Sequence, residues 1–141
     1  MKIILQKKDY EKIISHAENE IPNEACGLIA GSEDENLQTR TIEKIYLLTN
    51  LDKSPEHFSL SPKEQLEAVK DMRINGLKLL GNWHSHPASP SRPSAEDIRL
   101  AFDKNLSYLI LSLMDLERPV LNSFHIENGI STQEEILFYG E

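Results

Sequence analysis

Cysteine, long apolar runs and a secretory leader are scarce or missing in this sequence. Cysteine occurs once, at Cys26, which excludes an intramolecular disulfide. No apolar run approaches the roughly 20 residues that a membrane-spanning helix needs. Residues 1–6 lack the apolar stretch and cleavage site of a signal peptide. The sequence therefore predicts a cytoplasmic protein without a membrane span.

Positive charge is also in short supply. The chain has 15 Lys and Arg residues against 23 Asp and Glu residues, which gives a formal net charge of -8. Binding to nucleic acid depends on Lys and Arg that neutralise phosphates, so we do not expect nucleic acid as a partner. The same balance of charge argues against binding to an anionic membrane surface.

The length and composition fit one globular domain. The chain has 141 residues, of which 39% are hydrophobic and 27% are charged. That length leaves no room for two ordinary domains, and a chain of this size can bury a sizeable core. We therefore expect a single domain over residues 1–141.

Hydrophobic spacing and turn residues predict a mixed α/β fold with about six to eight strands and three helices. The second helix has the clearest start, because Ser61 can cap it, Pro62 suits its first position and Glu64 completes a capping box. Gly76 is expected to end that helix. The other predicted helices are residues 9–20 and 94–104, and the predicted strands are residues 1–6, 25–30, 39–50, 57–60, 77–86, 107–114, 120–127 and 130–141.

Two histidines lie two residues apart on one predicted strand. Because strand side chains alternate between faces, His84 and His86 point the same way, with backbones roughly 6.6 Å apart, while Ser85 points to the other face. Asp97, in the first turn of the next helix, can bring a carboxylate to the same point. Two histidines and one carboxylate leave a fourth position for water, which is typical of catalytic rather than structural zinc sites.

A second interpretation of the helix start needs no metal. Ser94 followed three residues later by Asp97 is an ordinary capping signature. The metal-ligand and capping roles of Asp97 compete, because a carboxylate on a metal is poorly placed to cap its own helix. The histidine pair at the right distance favours the metal role for Asp97.

These residues resemble the pattern of the JAMM (MPN-plus) metallopeptidases. That pattern is a distant Glu, then His-x-His, seven residues, Ser, two residues and Asp. Here His84-Ser85-His86 is followed by seven residues, Ser94, two residues and Asp97. The segment Pro22-Asn23-Glu24-Ala25-Cys26-Gly27-Leu28 resembles the glutamate segment of the family, and Gly81-Asn82-Trp83 precedes the histidines as Gly-x-aromatic does there.

The resemblance implies a fold, a cofactor and a set of roles. The fold is the cytidine-deaminase-like JAMM/MPN fold, a mixed central sheet with three helices packed around it. The cofactor is one Zn²⁺ per chain with water in the fourth position. The zinc ligands are His84, His86 and Asp97, the general acid/base is Glu24, and Ser94 donates a hydrogen bond to the tetrahedral intermediate.

The short chain is more similar to the small bacterial branch of this family than to its deubiquitinating members. The resemblance to that branch implies hydrolysis of an amide at the carboxyl-terminal tail of a ubiquitin-like sulfur-carrier protein. A zinc amidohydrolase acting on a small molecule and a non-catalytic protein-binding scaffold are the alternatives. Both a monomer and a homodimer are compatible with the sequence.

Two residues near this pattern carry open interpretations. Cys26 lies two residues after Glu24 and is either a small buried hydrophobe or a thiolate that occupies the open zinc position. His57 has no partner in the sequence, and a place along the substrate cleft is one possible role for it.

Overall fold

The computed structural model describes residues 1–140 and confirms the mixed α/β class. Seven strands and three helices alternate irregularly over this range. The helices are α1 (Lys7–Glu20), α2 (Pro62–Ile74) and α3 (Ala95–Arg99). The strands are β1 (Lys2–Gln6), β2 (Cys26–Asp34), β3 (Thr39–Leu48), β4 (Lys78–His86), β5 (Ser107–Ser112), β6 (Val120–Glu127) and β7 (Ile130–Tyr139). None of the helices among residues 1–140 is long and apolar enough to cross a membrane.

The strands form one sheet that closes on itself in the order β1-β3-β2-β4-β5-β6-β7. Strand β1 runs parallel to both β3 and β7, and β4 runs parallel to β5. The other neighbouring pairs are antiparallel. This topology places β4, which carries the histidine pair, between β2 and β5.

The core packs around strands β4 and β5. Every residue of β5 is buried, and Trp83 of β4 is fully buried, with its indole Nε1 donating to the Tyr46 carbonyl at 3.1 Å. Helix α1 packs Ile13 and Ala17 against the same core. Gly81 allows β4 and β5 to approach closely, because a Cβ at this position would lie 1.9 Å from the Ser107 carbonyl oxygen.

Helix α2 begins as the sequence predicts. Ser61 is the N-cap and accepts a hydrogen bond from the backbone N–H of Glu64, and Pro62 occupies the first helical position. The helix ends at Ile74, shortly before Gly76, which adopts a positive φ of 67°.

The strand predicted over residues 57–60 does not form. Leu60 makes an isolated bridge to Asn50, and the backbone groups of His57 and Ser59 bond to the Asn50 side chain instead of to a neighbouring strand. A short apolar run indicates burial but does not by itself supply a strand partner.

The third helix is shorter than predicted. It ends at Arg99 rather than at residue 104. The hydroxyl of Tyr108 donates to the Asp103 carbonyl at 2.9 Å and accepts from the Asp103 backbone N–H at 3.3 Å, so these groups are not available to continue the helix. Phe102, which lies within the predicted helix 94–104, is 87% exposed.

Smaller differences concern strand ends. Strand β2 continues to Asp34, beyond the predicted strand 25–30, because it pairs with β3 up to Asp34 and Thr39. The last strand forms from Ile130 to Tyr139, and residue 141 of its predicted range lies outside the described residues.

Candidate metal centre

Three potential metal ligands converge at the carboxyl end of β4. The Nε2 atoms of His84 and His86 lie 3.1 Å apart. Both face Oδ2 of Asp97, at 3.2 Å from His84 and 3.1 Å from His86. Both histidines are buried, and Asp97 is partly buried. Strand alternation thus brings the imidazoles together as predicted, and α3 supplies the carboxylate.

The connection between β4 and α3 is held against β5. The Ser91 hydroxyl donates to the Ile110 carbonyl and the Ser112 hydroxyl donates to the Ser89 carbonyl, both at 2.6 Å. Nδ1 of His86 lies 2.9 Å from the Pro90 carbonyl oxygen. This contact favours a proton on Nδ1 and turns the lone pair of Nε2 toward the cluster, as second-shell contacts do in metal sites.

The charges in the cluster suit a cation. Burial opposes ionisation of Asp97, but its contacts with the two histidines outweigh burial and hold the pKa of the carboxyl far below its usual range. Burial lowers the pKa of His84. Two imidazole nitrogens and one ionised carboxylate oxygen, all within 4.8 Å of one another, are a donor set that zinc accepts. The cluster can therefore bind a metal ion with three protein ligands and a position left open.

Asp97 also caps its own helix. Its Oδ2 accepts from the Ser94 backbone N–H at 2.9 Å, and its backbone N–H donates to the Ser94 hydroxyl at 3.0 Å. The same carboxylate oxygen that faces the histidines thus completes the capping box. The helix starts directly beside the imidazoles, so one oxygen can cap the helix and face both histidines. The expectation that metal binding and capping compete stays a prediction.

Glu24 lies immediately before β2, in a cleft next to the cluster. It is 4% exposed, and its Oε1 has no hydrogen-bond partner among residues 1–140. Burial raises the pKa of Glu24 to about 8, with a partly opposing effect of His86. A buried carboxyl with a raised pKa and a free oxygen can exchange a proton near neutral pH.

The cleft brings Glu24 and Ser94 to the same side of the cluster. It has a volume of about 440 Å³, within the range of ligand-binding clefts, and its lining includes Glu24, His86 and Ser94. The Ser94 side chain is exposed, and its oxygen accepts from Asp97, which leaves the hydroxyl hydrogen able to donate into the cleft.

Residues 55–57 also line the cleft. His57 lines it, in line with the role considered for it from the sequence, and its Nδ1 lies 2.7 Å from Oε1 of Glu96. The Phe58 ring stacks on the His84 imidazole with centroids 4.7 Å apart. Sequence patterns did not indicate Phe58 or Glu96, because their contacts join segments far apart in the chain.

Two further residues next to the site, Ser85 and Cys26, are buried. Ser85, on the other face of β4, accepts from the Ala25 backbone N–H at 2.8 Å and so ties the histidine strand to the residue after Glu24. Cys26 is fully buried, and burial raises the pKa of its thiol to about 12. A thiol that stays protonated fits the interpretation as a small buried hydrophobe.

This chain is similar to known proteins over much of its length. A family profile described as prokaryotic homologues of the JAB domain matches residues 6–127. The CysO-cysteine peptidase of Mycobacterium tuberculosis is 32% identical over 124 residues, which cover 88% of this chain and 82% of that protein. A probable TtuB-protein conjugate cleaving protease of Thermus thermophilus is 36% identical over 92 residues, which cover 64% of this chain and 57% of that protein.

A solved structure shares the whole fold. The solution structure of a protein from Desulfitobacterium hafniense is 54% identical in sequence and superposes with a TM-score of 0.90. The match covers all of this chain and 94% of that one. The arrangement of strands and helices around the cluster is therefore shared with a structure determined in solution.

Proposed function

Since the chain belongs to the family of prokaryotic homologues of the JAB domain, we propose that it is a zinc-dependent peptidase. Its substrate is an amide at the carboxyl-terminal tail of a ubiquitin-like sulfur-carrier protein. Membership of the family confirms the resemblance seen in the sequence motif. The observation that carries the proposal is the convergence of His84, His86 and Asp97 beside Glu24, whose Oε1 has no hydrogen-bond partner among residues 1–140.

The proposed ligands of one zinc ion are Nε2 of His84, Nε2 of His86 and a carboxylate oxygen of Asp97. Their donor types fit zinc, and three protein ligands leave a position for the reacting groups. A bound zinc ion supplies Lewis-acid chemistry, which polarises an amide carbonyl and lowers the pKa of water toward neutrality.

Glu24 is proposed to carry the proton. Its carboxylate accepts a proton from the attacking water and then donates this proton to the nitrogen that leaves as the amide bond breaks. The same oxygen thus acts first as a base and then as an acid. The buried position of Glu24 and its pKa above the usual range support this role, because the group can hold the proton between the two steps.

Ser94 is proposed to stabilise the developing oxyanion. Its hydroxyl hydrogen is not used by the capping box, in which the serine oxygen only accepts. A hydroxyl fixed at the rim of the cleft can donate to negative charge that develops on the former carbonyl oxygen. Two bonds between Ser94 and Asp97, each from a backbone N–H to a side-chain oxygen, hold this hydroxyl beside the cluster.

The substrate class is proposed from the relatives and the shape of the site. One relative is named a CysO-cysteine peptidase and another a probable TtuB-protein conjugate cleaving protease. We propose the same type of reaction for this chain, which is cleavage after the tail of a small carrier protein. The cleft is open enough for an extended chain to reach the cluster. The cytoplasmic location expected from the sequence stays a prediction.

The test uses the zinc-loaded, tag-free protein and a carrier whose carboxyl-terminal Gly-Gly bears an added cysteine. We expect mass spectrometry to show loss of the cysteine alone, and we expect Glu24→Gln to bind a full zinc equivalent but to turn over about 10² to 10⁴ times more slowly. Intact carrier after incubation with fully zinc-loaded wild type contradicts the proposal. Cleavage of small amides in place of carriers supports the amidohydrolase alternative.

A further inference from the structure

A buried asparagine connects Glu24 to the wall of the cleft. Asn50 is 6% exposed and follows β3 at the start of residues 50–60, which we call the strap. Its Nδ2 donates to the carbonyl oxygens of Glu24, at 3.0 Å, and His57, at 2.9 Å. Its Oδ1 accepts from the backbone N–H groups of Asp52 and Ser59, at 3.0 and 3.2 Å. The amide thus uses two donors and two acceptor positions, which fixes its orientation.

The strap holds both backbone polar groups of Glu24. The Glu24 N–H donates to the Ser54 carbonyl at 2.8 Å, and the Glu24 carbonyl accepts from Asn50. The next N–H, of Ala25, donates to Ser85. Because Oε1 of the Glu24 side chain has no partner among residues 1–140, these backbone bonds are what positions the carboxyl.

The far end of the strap contacts the metal cluster. His57 pairs with Glu96, whose chain neighbour is Asp97, and Phe58 stacks on His84. The strap therefore spans from the proposed base to the proposed metal ligands. The Asn50 side chain forms hydrogen bonds with three other residues of the strap, which are Asp52, His57 and Ser59. The Asn50 side chain joins this span to the Glu24 carbonyl, in addition to the backbone bond between Glu24 and Ser54.

We propose that Asn50 is a positioning residue for the reaction, which holds the Glu24 carboxyl at the distance from the cluster that proton transfer needs. The inference rests on the proposed function, since it assigns Asn50 a role through Glu24. Replacement of Asn50 by alanine removes the bond to the Glu24 carbonyl and three bonds within the strap. A catalytic group misplaced by about 1 Å can lose on the order of 10²-fold in rate.

The expected result is a loss of turnover with little loss of binding. We expect Asn50→Ala to lower kcat by about 10- to 100-fold, because the proton acceptor is displaced while the cluster stays intact. The KM is expected to change less than about threefold, as for an interaction that acts in the transition state, and zinc content is expected to stay at one equivalent.

A double-mutant cycle separates positioning from general damage. The kcat values of wild type, Asn50→Ala, Glu24→Gln and the double variant are measured on zinc-loaded protein with the carrier–cysteine substrate. If Asn50 acts through Glu24, Asn50→Ala costs less than about threefold in the Glu24→Gln background. Equal losses in both backgrounds overturn the inference, because a purely structural defect lowers both rates alike.

Two more variants complete the test. Asn50→Asp keeps the side-chain shape and an acceptor but loses both donors, so we expect it to slow turnover as Asn50→Ala does. This variant keeps the test valid if the alanine variant folds poorly. A wild-type kcat in Asn50→Asp overturns the inference. Ser59→Ala is the matched control. It removes the hydrogen bond from the Ser59 hydroxyl to the Asp52 carboxylate, a bond within the strap that does not involve Glu24. We expect its kcat to stay within about twofold of wild type.

The cycle also separates this inference from the proposed function. A Glu24→Gln variant that turns over at the wild-type rate overturns the proposed role of Glu24 and, with it, the role of Asn50. A slow Glu24→Gln variant with equal losses from Asn50→Ala in both backgrounds overturns the role of Asn50 alone.

Discussion

Glu24 should make the stability of the metal-free protein depend on pH, and Glu24→Gln should remove this dependence. Burial raises the pKa of Glu24 to about 8 in the folded chain, whereas an exposed glutamate has a pKa of about 4.3 in the unfolded chain. Between these values the folded state keeps a proton that the unfolded state releases. The stabilisation that the protonated Glu24 gives to the folded state is therefore fully present at a pH below the pKa of the unfolded chain, and it is lost as the pH rises toward 8.

The size of the effect follows from the shift and from the position of the carboxyl. Each pKa unit corresponds to about 1.4 kcal/mol, so the whole shift corresponds to roughly 5 kcal/mol. Because Glu24 lines an open cleft, water reduces the electrostatic cost, and we expect a difference of about 2 kcal/mol. The imidazoles of the cluster titrate in both proteins, so the comparison between them reports Glu24 together with its electrostatic coupling to His86.

The assay is urea unfolding of wild type and Glu24→Gln in the presence of a chelator at pH 5 and pH 8. Wild type is expected to lose about 2 kcal/mol more of its free energy of unfolding between these pH values than the variant does. The same pH dependence in both proteins would refute the reasoning, because Glu24 would then ionise in the folded chain as freely as in the unfolded one.

Substitutions at three further positions test other parts of the site and fold. Gly81→Ala should strongly destabilise or prevent folding, since the new Cβ would lie 1.9 Å from the Ser107 carbonyl, and a melting temperature within about 2 °C of wild type would contradict this. Cys26→Ala should keep zinc and activity and cost about 1 kcal/mol in urea unfolding; zinc loss would instead support a thiolate ligand. Ser94→Ala should lower kcat by about 10²-fold with zinc retained, whereas Ser94→Thr should keep most of the rate; equal rates in wild type and the alanine variant would remove the hydroxyl from the mechanism.

Local patterns in the sequence predict the centre of the site well. His84 and His86 share a face because they are two residues apart on one strand, and the spacing of the motif indicates Asp97 as the carboxylate that joins them. The start of α2 was also predictable, because Ser61, Pro62 and Glu64 act within one helical turn. In each case the deciding interactions are local in sequence.

The errors and omissions involve contacts between distant segments. The third helix ends early because the Tyr108 hydroxyl binds the backbone of Asp103, and no helical pattern contains that contact. Residues 57–60 are not a strand because the Asn50 side chain takes the hydrogen bonds that a neighbouring strand would take. The choice of Glu24 depended on the family resemblance, since the fold alone brings it near the cluster.

The central claim is a zinc site with a catalytic role, and zinc content together with carrier cleavage tests it most directly. Wild type and Asp97→Ala are purified without a tag, supplied with zinc, analysed for bound metal and incubated with the carrier–cysteine substrate. We predict about one zinc per wild-type chain with release of the cysteine, and loss of both in Asp97→Ala, because zinc would keep only two of its three protein ligands. A full zinc equivalent and undiminished cleavage in Asp97→Ala would contradict the account.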